Sequence, residues 1–191
     1  MKHTMSWHFN NVQYKQPKLN YHNLAHVTNV AIVIDRLCDT YGFEDYKDYL
    51  ILAGLYHDIV YVPGRSDNEK KSALYLLDIE PDMQYPAVLI EQTTVMNHIS
   101  SLPSFEKDPD LCILLDADLS SMCKDFDAFV KQQEDILMEN SIEVTEKHLS
   151  AGFLSTLTEK GFIFRTPECK KLFEKTAMHN CKKFIEIYGT E

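Results

Sequence analysis

Long hydrophobic runs are missing from this sequence. No apolar stretch reaches the roughly 18 residues that a membrane-spanning helix needs. The N-terminal segment MKHTMSWHFN also lacks the apolar stretch of a signal peptide. The two absences predict a cytoplasmic protein that does not enter a membrane.

An excess of positive charge is missing as well. The 191 residues include 19 Lys and Arg against 29 Asp and Glu, which gives a net charge of −10. Because non-specific binding to nucleic acids or anionic lipids depends on a basic surface, we expect neither. An acidic protein can still bind a phosphate group where a metal ion or a local Lys or Arg supplies positive charge.

Paired cysteines are the third absence. The five cysteines are odd in number and form no C-x-x-C pair. Cys38 and Cys112 lie in apolar patterns of helical spacing. We therefore predict free thiols in the core, as expected in a reducing cytosol, and neither a disulfide framework nor a metal–thiolate site.

Apolar residues at helical spacing are abundant, and no strand pattern competes with them. The 45% hydrophobic content and the length suit one domain over residues 1–191. We predict an all-α bundle of about seven or eight helices. The helices are predicted at 24–41, 46–60, 66–80, 124–139 and 142–160, with three more beginning near Pro86, Pro109 and Pro167.

The dipeptide His57-Asp58 lies near the end of the second predicted helix. Adjacent side chains on a helix diverge by about 100°, but both can still reach one ion placed over the helix face. A neutral imidazole and a carboxylate suit a divalent metal. Such pairs are common by chance, so this pair alone is better explained as an exposed helix end.

Two aspartates, Asp116 and Asp118, follow a strongly apolar run. We expect at least one carboxylate to point inward, where it must be paired, hydrogen-bonded or bound to a metal. A surface pair at a helix end is the alternative. On a helix the two side chains face about 200° apart, so both cannot easily bind the same ion.

Two histidines, His22 and His26, are four residues apart where a helical pattern begins. Side chains at this spacing share one helix face. A buried or capping histidine is the ordinary interpretation of either one. Two on one face raise the prospect of a metal ligand or of an acid/base group.

The order of these segments on an all-helical chain resembles the HD superfamily of metal-dependent phosphohydrolases. The layout is similar to a small bacterial family of predicted metal-dependent HD phosphohydrolases, and individual segments resemble cyclic-nucleotide phosphodiesterases. The segments that carry the resemblance are Tyr21-His22-Asn23-Leu24-Ala25-His26, His57-Asp58-Ile59-Val60-Tyr61, Asp67-Asn68-Glu69 with Ser72-Ala73, Thr94 with His98, and Asp116-Ala117-Asp118-Leu119.

The resemblance implies an HD-domain helical bundle that holds a divalent metal ion, one of Mn, Mg, Fe, Zn, Co or Ni. Carried over position by position, it makes His26, His57 and Asp58 metal ligands. The fourth ligand is one of the two later aspartates. The Ala-Asp-Leu context favours Asp118, with Asp116 as the alternative.

The resemblance also implies catalytic roles. His22 matches the phosphodiesterase residue that protonates the leaving oxygen, and Asp58 belongs to the catalytic set as well as to the ligands. His98 is the candidate for a second metal or a phosphate contact; a histidine at a helix end is the alternative.

Three charged residues could assist the substrate or the ligands. Arg65 is the best placed of the few arginines to bind a substrate phosphate, and Lys18 is a weaker candidate, whereas Glu69 could support a ligand histidine. A solvated surface charge is the ordinary interpretation of each lysine or arginine. Glu69 also suits the first turn of a helix, where acidic residues are favoured.

The predicted function is metal-dependent hydrolysis of a small phosphoester, such as a nucleotide, by metal-activated water and a histidine general acid. Tyr61 stands where phosphodiesterases have a second histidine, which departs from their second-metal arrangement. No glutamine near the C-terminal end matches their purine-binding glutamine, and the chain is shorter than their catalytic domain, so a cyclic nucleotide substrate does not follow. One alternative is a sensor module that binds metal and nucleotide without turnover. Another is a di-iron protein of oxygenase type. The oligomeric state is left open.

Overall fold

The structure is a computed structural model that describes residues 1–15 and 17–189, apart from the side chain of Tyr14. These residues form helices and connecting turns without a strand, so the predicted all-α class is confirmed. A 3₁₀ turn covers Ser120–Cys123, and a π-helical turn covers Lys170–Glu174. The helices are α1 (Met5–Lys15), α2 (Leu24–Tyr41), α3 (Lys47–Tyr56), α4 (Asn68–Ile79), α5 (Gln84–Glu91), α6 (Val95–Ile99), α7 (Pro109–Leu119), α8 (Phe126–Glu139), α9 (Lys147–Glu159), α10 (Pro167–Cys169) and α11 (Lys175–Tyr188).

Helix α2 has the boundaries that its sequence predicts. The side chain of Asn23 accepts hydrogen bonds from the backbone N–H groups of Ala25 and His26, which caps the N-terminus. Gly42 ends the helix in the left-handed conformation at φ 72°, which glycine adopts without the steric cost of a side chain. These caps fix the first turn of α2, which carries His26.

Helix α3 is shorter than predicted. It ends at Tyr56, so His57 and Asp58 lie in the turn that follows and not within the helix. The hydroxyl group of Ser72 binds the backbone N–H of Val60 at 3.1 Å and its carbonyl at 3.2 Å, which replaces further helical bonds. This ending frees the two side chains from helical spacing.

Other boundaries differ by a few residues. Helix α4 begins at Asn68 and not at residue 66, and α9 begins at Lys147 and not at 142. Helices α1 and α6 were not predicted. Helix α6 has only five residues, too few to show a period, and the apolar residues of α1 do not form a marked helical stripe.

The core is built on the close packing of α2 against α3. A Cβ atom added to Gly54 would lie 2.5 Å from Cδ1 of Ile34 and 3.1 Å from Cγ1 of Val30. A side chain at this position would require the buried end of Ile34 to move. Helix α7 packs against the same pair and buries Ile113 and Leu114. The packing brings the start of α2, the end of α3 and the end of α7 to one place.

Membrane-spanning helices and cysteine pairing were both considered from the sequence, and the structure bears on each. Within residues 1–15 and 17–189, no helix is both long enough and apolar enough to cross a membrane. All five cysteines are free and four of them are buried, which confirms the prediction of free core thiols for those four. Burial raises the pKa of the Cys112 thiol to about 12, which disfavours the thiolate that a metal would need.

The contact at Gly54 predicts a large effect of one methyl group. We expect Gly54→Ala to lower the free energy of unfolding by about 1–3 kcal/mol, because the fully buried side chains of Ile34 and Val30 must shift to admit the methyl group. Gly152→Ala is the matched control. No atom lies within 4 Å of an added Cβ there, so helix propensity should raise stability by about 0.5–1 kcal/mol. Urea denaturation measures both, and equal effects would contradict the packing described here.

Candidate metal centre

Three helix ends deliver two histidines and two aspartates to one point. His26 lies in the first turn of α2, His57 and Asp58 follow α3, and Asp118 lies in the last turn of α7. The Nε2 atom of His26 is 3.3 Å from Nε2 of His57 and 3.0 Å from Oδ1 of Asp118. The Nε2 atom of His57 is 3.0 Å from Oδ2 of Asp58. The sequence segments that are far apart in the chain therefore meet.

His26, His57 and Asp58 form a group of metal-ligand geometry. Each offers one nitrogen or oxygen atom, these atoms all lie within 4.8 Å of one another, and all three residues are buried. Asp118 adds a carboxylate next to both histidines, with Oδ1 at 3.5 Å from Nε2 of His57. Two nitrogen and two oxygen donors are a set that suits divalent transition metals.

The orientation of His57 is fixed from behind. Its Nδ1 atom donates a hydrogen bond to the carbonyl oxygen of Gly54 at 2.8 Å. In the neutral ring this places the proton on Nδ1 and leaves the lone pair of Nε2 directed at the carboxylates. A backbone partner of this kind is the usual support of a histidine that binds a metal.

The two carboxylates of the cluster need positive charge close to them. Burial alone would lower the pKa of His57, but Asp58 and Asp118 outweigh it and raise that pKa well above the usual value. Burial would raise the pKa values of both carboxyls, yet the charge of His57 and the hydrogen bonds of His26 lower them. Protonated rings at His26 and His57, whose pKa values are both raised, would balance the two carboxylates. A divalent ion could take the place of those protons, because metal binding releases them from its ligands.

Asp118 also faces a third histidine. Its Oδ2 atom is 3.1 Å from Nε2 of His98, which is 6% exposed. In the described part of the chain, Nδ1 of His98 has no hydrogen-bond partner. The carboxylate of Asp118 therefore lies between the cluster of His26 and His57 and the ring of His98.

Asp116 faces the opposite side of α7. Its two carboxylate oxygens accept hydrogen bonds from the backbone N–H of Arg165 at 2.8 and 2.9 Å, and Oδ2 accepts one from that of Thr166 at 2.7 Å. Burial raises the pKa of Asp116 to about 6. The structure therefore does not bring Asp116 to the cluster, which favours Asp118 as the fourth ligand.

Arg165, whose backbone Asp116 holds, supports His98 through its side chain. The guanidinium of Arg165 donates to the carbonyl oxygens of His98 and Ser100, both at 3.1 Å, and to that of Asn97. Lys160 donates to the carbonyl of His98 as well. Two cations at the C-terminal end of α6 suit the partial negative charge there and fix the short helix that carries His98.

His22 is held beside the cluster by a buried carboxylate. Its Nδ1 atom donates to Oε2 of Glu139 at 2.6 Å, and Oε1 of Glu139 accepts the backbone N–H groups of Tyr21 and His22. The ring of His22 stacks on Tyr61 with centroids 3.8 Å apart. Burial alone would raise the pKa of Glu139, but the hydrogen bond from His22 lowers it below the usual value. Only Nε2 of His22 is left to meet a substrate.

The cluster lies at one side of a cavity of about 410 Å³. Arg65 and Glu69 line this cavity, and Lys18 is exposed and does not. The guanidinium of Arg65 binds both carboxylate oxygens of Asp67 at 2.7 Å. Of the three charged residues named from the sequence, Arg65 and Glu69 are thus at the cavity wall.

Sequence reasoning missed the residues of α8 that border the site. Glu139 is 117 positions away from His22, and nothing in its neighbourhood in the sequence marks it. Gln132 and Gln133 line the cavity from the same helix. The one available signal was that these polar residues fall on the buried face of an amphipathic helix.

Comparison with models of known protein families gave one match. A family model described as HD domain matches residues 23–118, just over half of the chain. The matched stretch contains His26, His57, Asp58, His98 and Asp118, and it ends before α8. The comparisons with curated proteins and with solved structures found no match.

The opposite faces of Asp116 and Asp118 predict two different phenotypes. Asp118→Asn should weaken Mn²⁺ binding at least tenfold, because a charged oxygen donor is lost from the cluster. Asp116→Asn should keep the metal affinity and lower the free energy of unfolding by about 1–3 kcal/mol, because an amide N–H₂ cannot accept the buried backbone N–H groups. Calorimetry and urea denaturation measure the two effects. If Asp116→Asn lost the metal and Asp118→Asn kept it, Asp116 and not Asp118 would be the fourth ligand.

Proposed function

The chain belongs to the HD domain family, and we propose that it is a metal-dependent phosphohydrolase acting on a small phosphoester such as a nucleotide. HD domains are typically metal-dependent phosphohydrolases. The observation that carries the proposal is the convergence of His26, His57, Asp58 and Asp118 beside a cavity large enough for a small molecule.

The donor atoms fit a divalent ion. His57 has its proton held on Nδ1 by Gly54, so Nε2 can bind a metal, and two carboxylates with lowered pKa values lie against the histidines. His26, His57, Asp58 and Asp118 would hold the ion, which is one of Mn, Mg, Fe, Zn, Co or Ni. Bound there, it would lower the pKa of a water molecule and balance charge on a phosphate oxygen.

His22 is proposed as the general acid. Glu139 keeps the proton of Nδ1 engaged, so a protonated ring presents its second proton at Nε2, where the leaving oxygen of the substrate would take it. Stacking on Tyr61 and the two backbone hydrogen bonds to Glu139 hold the ring in one orientation. A fixed donor costs little reorganisation during reaction.

Asp58 and His98 complete the proposed chemistry. Asp58 lines the cavity, and its lowered pKa keeps it a carboxylate that can accept a hydrogen bond from the attacking water. His98 would contact a phosphate oxygen or a second metal ion, because it faces the outer oxygen of Asp118. Arg65, at the cavity wall, and Glu69 would assist from the edge, and Lys18 would act only in long-range attraction of an anion.

A centre with two metal ions is favoured by one observation. The two oxygens of Asp118 face different histidines, His26 and His98, as a bridging carboxylate would. This arrangement suits a phosphohydrolase with two ions, and it also keeps the di-iron alternative testable. Iron in the purified protein, together with oxygen consumption, would support oxygenase-type chemistry over hydrolysis.

The proposed function predicts hydrolysis that depends on a metal. Protein loaded in turn with Mn²⁺, Mg²⁺, Fe²⁺, Zn²⁺, Co²⁺ and Ni²⁺ should release phosphate from at least one member of a panel of small phosphoesters. A chelator should abolish the release, and added metal should restore it. Failure of every metal with a folded protein would contradict the proposal. Tight nucleotide binding without release would instead support the sensor alternative.

The roles of His22 and His26 separate in one experiment. His22→Gln should lower kcat about 10²–10⁴-fold on an alkyl phosphoester, because the alkoxide then leaves without a proton. The loss should be far smaller on 4-nitrophenyl phosphate, whose phenolate leaves unprotonated. Bound metal should be unchanged. His26→Gln should lose the metal and the activity on both substrates.

Steady-state kinetics and metal analysis of the two variants give the comparison. Equal losses of His22→Gln on both phosphoesters would exclude a general-acid role for His22. Loss of metal in that variant would place the ring among the ligands instead.

A further inference from the structure

Helix α8 carries a buried amide that no contact within the protein explains. Gln132 is 5% exposed and lines the cavity, yet its Oε1 atom has no hydrogen-bond partner among the described residues. A buried acceptor without a partner costs about 1–3 kcal/mol. An acceptor left open at a cavity wall is the arrangement expected where a ligand supplies the donor.

The part of the cavity wall that lies on the α8 and α9 side is largely apolar. Helices α8 and α9 and the turns beside them contribute aliphatic and aromatic side chains, with the amides of Gln133 and Asn140 among them. This surface suits a flat or compact organic group more than a sugar phosphate chain. The apolar lining residues include Met122, Ile136, Leu137, Ile142, Phe153 and Leu154.

The charges of the cavity restrict the substrate further. Among the described lining residues, Arg65 is the single Lys or Arg. Its guanidinium already donates hydrogen bonds to both carboxylate oxygens of Asp67. The proposed ion would balance Asp58 and Asp118, and Glu69 adds negative charge farther along the wall. The cavity therefore offers no free Lys or Arg among its described lining residues for a second phosphate or an acidic organic group, so one phosphate and an uncharged organic group fit best.

The position of Gln132 relates it to the leaving group. Gln132 and Glu139 are seven residues apart on α8, a spacing that places them on one helix face about 10 Å apart along the axis. Glu139 holds His22, which would protonate the leaving oxygen. The organic group attached to that oxygen would therefore extend along this face toward Gln132.

We infer that Gln132 determines specificity by accepting a hydrogen bond from the organic part of the substrate, which is a monophosphate ester whose uncharged, partly apolar organic group carries an N–H or O–H donor. A nucleoside monophosphate has this chemistry. The inference rests on the phosphohydrolase activity proposed above and names the substrate class of that same site.

The test compares substrates with and without a donor in the metal-loaded protein. Adenosine and uridine 5′-monophosphates carry donors on their organic groups, and phenyl phosphate carries none. Gln132→Met keeps the side-chain length and removes the amide. The ratio of kcat/KM for the better nucleotide to kcat/KM for phenyl phosphate should fall at least tenfold, because the nucleotide's donor would lose its acceptor. Gln13→Met, on the exposed surface of α1, should keep the wild-type ratio.

A binding measurement separates this inference from the proposed activity. Adenosine and uridine, which carry no phosphate, should bind to the wild type at least tenfold more tightly than to Gln132→Met in calorimetry. If no phosphoester is hydrolysed but this difference is found, the hydrolase proposal fails and the role of Gln132 stands. If phosphoesters are hydrolysed and both the ratio and the nucleoside affinity of Gln132→Met match those of the wild type, the role of Gln132 is wrong.

Discussion

Two carboxylates packed against two imidazoles are the constraint on which the rest of the structure depends. Asp58 is buried and Asp118 is half-buried, and the pKa values of both are lowered although burial opposes this, so positive charge must be held within a few ångströms of them. His26 and His57 can supply it as protonated rings or as ligands of a cation. Either way, the start of α2 and the ends of α3 and α7 must meet at one point.

Gly54 joins the packing of the helices to the chemistry of the cluster. Its missing side chain lets α3 approach Ile34 of α2, and its carbonyl oxygen holds Nδ1 of His57. A shift of α3 would therefore move a ligand atom as well as open the core. The support of His98 is similar, because Asp116 fixes the backbone of Arg165, whose guanidinium holds the end of α6.

The fold class and the meeting of the ordered motifs were predictable, and the supports of the site were not. Helical spacing of apolar residues located most helices, and the opposed faces of a helix separated Asp116 from Asp118. The end of α3 depends on Ser72, a contact between distant segments that spacing cannot show. The same holds for Glu139, whose role appears only when α8 packs beside His22.

Two stretches of the chain thus contribute different parts of the candidate site. Residues 23–118, which match the HD domain, bring together the proposed ligands and the histidine beyond them. Helices α8 and α9, outside that match, supply the buried carboxylate behind His22 and most of the apolar wall. A metal centre needs a fixed set of donor atoms, whereas a substrate wall can vary with the molecule it accepts. Under the proposed function, substrate choice would be determined mainly by α8 and α9, which lie outside the matched residues.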